Sequence, residues 1–151
     1  MIPFARSREA KVLAAGVDLL RASFEARGFT YHSGTNATSS GGPFATGHFR
    51  KGSLEISLIV RNKTQLGCPN YSEGNGYAGH DDIVRTLGFA GQEALVHGEQ
   101  LGFVSRSGGD AFEALGADLS QIVFPELDRS ETSFREALAR AVKLAQASLG
   151  L

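Results

Sequence analysis

"PFATGHFRKGSLEISLIVRN", residues 43 to 62, decides how this chain is read. Apolar and polar side chains alternate on both sides of Lys51-Gly52, the pattern of two strands joined by a tight turn. A two-residue turn there pairs Arg50 with Ser53, Phe49 with Leu54, His48 with Glu55, Gly47 with Ile56, Thr46 with Ser57 and Ala45 with Leu58. One face then carries Phe49, Leu54, Gly47, Ile56, Ala45 and Leu58, and the other Arg50, His48, Thr46, Glu55 and Ser57. A slip of one residue would mix the two sets. The stretch is therefore a hairpin with one dry face and one wet face.

Upstream, Val12, Leu13, Gly16, Leu19, Leu20, Ser23 and Phe24 recur at spacings of three and four, which predicts a helix with one core-facing stripe. Ser7 is its expected N-cap and Gly28 its stop. "FTYHS" (29 to 33) alternates and reads as a strand, and "GTNATSSGG" (34 to 42) as a polar loop. Downstream, "HDDIVRTLG" predicts a short helix capped by Gly79 or His80, with Asp81 and Asp82 in its first turn and Gly88 at its end. Residues 90 to 107 fit either a helix or a short hairpin around Gly98. "DAFEALGADLSQIVF" predicts a helix with Asp110 and Glu113 in capping-box spacing, stopped by Pro125. A last helix starts near Ser130, with Phe134, Leu138, Val142, Ala145 and Leu149 on one face. A helix, a strand and hairpin, then helices define an α+β fold: an antiparallel sheet of about three to five strands with the N-terminal and C-terminal helices packed on one face. With 151 residues, 42% of them hydrophobic, and no internal repeat or linker, residues 1 to 151 are expected to form a single domain.

Composition excludes several classes of function. Fifteen basic side chains against 16 acidic ones leave a net charge of -1, with no basic stripe to follow a phosphate backbone, so no nucleic-acid partner is expected. No apolar run approaches the length of a membrane span. A single cysteine forms no internal disulfide, and the opening residues do not read as a signal peptide, so the expected compartment is the cytoplasm.

Candidate chemistry concentrates in "LGCPNYSEGNGYAGHDD", residues 66 to 82. Cys68, His80 and Asp81 supply the residue types of a thiol nucleophile, its base and an orienting acid, which would suit a small enzyme acting on a small molecule or an acyl group. The same loop sets Tyr71, Glu73 and Tyr77 among glycine, serine and asparagine, the composition of contact loops, and His80 and Asp81 adjoin it. No CxxC, HxH or HExxH spacing links its cysteine and histidine to the other histidines, so neither a metal nor another cofactor is expected. "GPFATGH" (42 to 48) has the glycine gap of a phosphate loop, but His48-Phe49 stands in place of the lysine and hydroxyl residue, and a strand follows instead of a helix.

"LEISLIVR", "GHDDIVRTLG" and "DAFEALGADL" together resemble segments of small uncharacterised bacterial α+β proteins, some of toxin–immunity type. The resemblance spans residues 50 to 122 and transfers no catalytic residue. It implies a chain whose sheet face and loop bind and block a partner protein. The resulting expectation is a macromolecule-binding module with Tyr71, Glu73, Tyr77, His80 and Asp81 as contact residues. The short sheet's edge would also make a homodimer easy.

Overall fold

The structure is a computed structural model that describes residues 7–39, 42–61, 63–67, 69–87, 98–99, 103–104 and 108–148. Helix α1 (Arg8–Glu25) begins at Ser7, whose hydroxyl accepts the Ala10 backbone N–H at 3.1 Å. It ends where Gly28, at φ +88°, turns the chain and the Phe29 N–H returns to the Phe24 carbonyl at 3.1 Å. The buried stripe of α1 is Leu13, Gly16, Val17, Leu20 and Phe24; Leu19, expected inside, is 60% exposed. The inward arc is centred on Val17, two positions round the helix from Leu19.

Strands β1 (Thr30–Ser39), β2 (Gly42–Lys51), β3 (Leu54–Arg61), β4 (Gln65–Leu66), β5 (Asn70–Glu73) and β6 (Gly76–Gly79) form one antiparallel sheet in the order β1-β2-β3-β5-β6, with β4 also paired to β3. The hairpin of residues 43 to 62 is present, with its turn one residue later than the sequence suggests. Lys51 pairs with Leu54 and Phe49 with Ile56, so the turn residues are Gly52 and Ser53, and Gly52 takes φ +60°. Each partner has moved by two residues, which keeps every side chain on its expected face. Lys51 stays in the strand and reaches Glu131 with its Nζ at 3.1 Å.

Two stretches read as loops are strands. β1 runs on to Ser39, through a bulge between Ser33 and Asn36 where the Thr35 N–H is taken by Thr46 Oγ1 at 2.8 Å. Backbone pairing at a sheet edge does not require apolar side chains, so its polar sequence concealed it. The glycine-rich stretch 70 to 79 is the β5–β6 hairpin, turning at Gly74 with φ +62°.

Helix α2 (His80–Thr86) follows directly, with Gly79 as N-cap. Of residues 90 to 107, the described ones include a two-strand pair, β7 (Gly98–Glu99) with β8 (Phe103–Val104); the rest lie outside the described residues, as do Gly88 and Leu149. Helix α3 (Gly108–Asp118) starts two residues before Asp110, so Asp110 is not its cap. It runs through a π turn (Leu119–Val123) into α4 (Phe124–Arg129), so Pro125 does not stop the helix. The wider turn, closed by the Phe124 N–H on the Leu119 carbonyl, shifts the ladder where proline offers no N–H. Ser130 then caps α5 (Glu131–Ser148), its Oγ accepting the Ser133 N–H at 3.1 Å.

The helices share one core with the dry face of the sheet, from Leu13 and Phe24 through Phe49, Ile56, Tyr71 and Ile83 of α2 to Phe112, Phe124 and Phe134. Phe24 stacks on Phe49 at 4.1 Å and meets Phe29 and Phe124 edge-on, locking α1 to β2 and α4. The chain is an α+β fold with an antiparallel sheet, as the sequence pattern implies.

Candidate functional site

Pairing of β3 with β5 and β5 with β6 sets Tyr71 opposite Ile56 and Ala78, on the dry face. Tyr71 is therefore core, at 0% exposure. His80, the first residue of α2, is also fully buried, with its ring stacked 5.7 Å from that of Tyr71. Its Nδ1 lies 2.8 Å from the Tyr71 hydroxyl, and its Nε2 lies 3.0 Å from Oδ2 of Asp118, which is 1% exposed. A carboxylate only accepts, so Nε2 carries a proton toward Asp118, while Nδ1 shares a hydrogen bond with the Tyr71 hydroxyl.

The order acid, imidazole, hydroxyl is that of a hydrolase relay, but here the hydroxyl end is sealed. What the arrangement does is tie a strand, a short helix and a long helix together through groups too costly to bury alone. Asp118 escaped the sequence reading because it lies 38 residues from His80. A signal existed: it falls three residues after Leu115 and four before Ile122, on the inward stripe of its helix, where an acid must find a partner.

The other sequence-level candidates part company. Cys68 lies outside the described residues. Glu73 is tied to Arg135 of α5 by an ion pair. Asp81 is half-buried in the first turn of α2. Tyr77 alone among them stands well out, at 63% exposure. Tyr71 and His80 are thus corrected from contact residues to core, because the hairpin register turns Tyr71 inward and α2 starts beneath it. Both ring nitrogens of His80, the base in the Cys68–His80–Asp81 reading, are engaged inside the core.

Opposite the helices, the wet face of the sheet is covered by no element among the described residues. One rung reads Thr30, Arg50, Glu55, Ser72, Tyr77, and the next His32, His48, Ser57, Asn70. The His32 and His48 rings stack at 5.4 Å. Arg50 donates to Glu55 at 3.0 Å and to His48 Nε2 at 3.2 Å, and the same nitrogen lies 3.2 Å from Glu55. Further along, Arg61 lies over the Phe44 ring at 4.9 Å. Burial pushes the His48 pKa below its usual 6.5; Glu55 opposes this, while Arg50 and His32 add to it. Among the described residues no group of three or more histidine, cysteine or acidic side chains is placed to hold a metal ion.

Fold and site together define a small α+β domain with a helix-covered face, a polar open face and a buried tyrosine–histidine–aspartate chain. No family model, curated protein or solved structure matches it. No helix among the described residues is long and apolar enough to cross a membrane.

Proposed function

We propose that this chain is a protein-binding module that works through the open face of its sheet. The observation that carries the reading is the network on that face: stacked His32 and His48, and Arg50 bridging His48 and Glu55, on the rungs that lead to the exposed Tyr77. These side chains are already held by one another, so a partner would order little on contact. An exposed tyrosine with a nearby arginine supplies the residue types that anchor interfaces. The narrower reading, an immunity-type inhibitor, rests on the sequence resemblance alone. The small-enzyme alternative is weakened by the engagement of His80 inside the core.

The test is capture of partners on immobilised wild type, on an Arg50→Ala/Tyr77→Ala double variant, and on Leu144→Ala. Leu144 is 60% exposed on α5, on the helix side of the sheet, and so serves as the control. A protein held by wild type and Leu144→Ala but lost with the double variant supports the reading. A partner that survives the double variant, or no partner at all, overturns it.

A further inference from the structure

β1 is a terminal strand of the sheet, and among the described residues nothing pairs with its outer edge. It is ten residues long and contains no charged residue and no proline, so it lacks two of the devices that usually blunt an open edge. Alongside it runs one flank of α1, on which Ala10, Ala14, Asp18 and Arg21 follow at helical spacing. Small residues there leave a groove between helix and strand. Its two hollows, about 370 and 450 Å³, share Arg21 and Tyr31 as lining. Gly47 on β2 permits this shape, because a Cβ there would overlap the Tyr31 hydroxyl.

We infer that this edge takes an extended peptide segment of a partner protein as an added strand, with alternate side chains entering the two hollows beside α1. Main-chain bonds to the strand would supply affinity and the hollows selectivity. The rim sets the chemistry. Among the described residues Asp18 and Glu25 pair only with Arg21, two acids against one base, and neither pair closes to hydrogen-bond distance, at 3.9 and 3.7 Å. Asp18 is also 77% exposed at its side chain. The segment that fits is uncharged apart from one basic side chain opposite Asp18. The Tyr31 hydroxyl, unbonded among the described residues, is one further group that can meet it, and burial keeps the phenol protonated. This site lies at the edge of the sheet and does not depend on the open-face reading.

The experiment selects a displayed library of random peptides about as long as β1 on the wild-type protein. Binding of the enriched peptides is then measured on Asp18→Lys and Ala14→Trp, and hydrogen exchange is followed on wild type with and without peptide. Both substitutions lie on the outer flank of α1, and thermal melts check that they fold. The expected result is a motif with a single Lys or Arg, affinity about tenfold weaker or worse in either variant, and new protection of β1 amides. Three results would overturn the proposal: no enrichment over background, protection confined to other strands, or β1 protection without peptide that grows with protein concentration. The last would assign the edge to a second copy of the chain.

Discussion

His80 has Tyr71 on one ring nitrogen and Asp118 on the other, and all three residues are at most 1% exposed. Removing the Tyr71 hydroxyl leaves Nδ1 facing the core, so Tyr71→Phe should cost about 1–3 kcal/mol although the ring is kept. Asp118→Ala strands the Nε2 proton and opens space as well, and should cost about 3 kcal/mol or more. Urea titrations of both variants check this, and a Tyr71→Phe midpoint equal to wild type would show the bond to be idle. None of this was legible at Tyr71 itself. Tyrosine among glycine, serine and asparagine suits a contact loop or a hairpin equally, and only pairing with β3 decides which way the side chain turns.

Helix α1 meets α3 at Gly16, where an added Cβ would overlap the Phe112 ring. Alanine is the better helix former by about 1 kcal/mol, but overpacking against a ring that is 1% exposed costs up to about 3 kcal/mol. Gly16→Ala should therefore lose about 2 kcal/mol in chemical denaturation, and Phe112→Leu in the same chain should restore part of it. A stabilised Gly16→Ala protein would mean that the two helices separate more easily than their packing implies. The stripes of α1 and α5 were legible because burial follows the 3.6-residue period. The halves of β2 and β3 were legible because it follows the two-residue period. Less was legible where backbone geometry decides: the glycine at φ +60° that places the turn at Gly52, and the π turn that carries the helix past Pro125. The start of β1 was legible in residues 29 to 33, but its continuation past Gly34 was not, since an edge strand needs only backbone partners on one side.

One core cluster joins residues of α1, the sheet, α2, α3, α4 and α5, so the whole molecule should unfold in a single cooperative step. A titration on the open face is then felt by the global transition. Burial, set against Glu55 and reinforced by Arg50 and His32, holds the His48 pKa below 6.5 in the folded chain, whereas the unfolded chain returns to about 6.5. Between the two values the unfolded state binds more protons, so stability from this group rises with pH. It is fully present above 6.5 and is lost as pH falls through the folded value. The expectation is that the unfolding free energy of wild type, less that of His48→Gln, increases from acid toward pH 7, and that Glu55→Gln pushes the His48 titration further down in NMR spectra. A flat difference between wild type and His48→Gln, with His48 titrating at the usual 6.5, would show that the stacked pair is solvated too freely for the network on this face to be preformed.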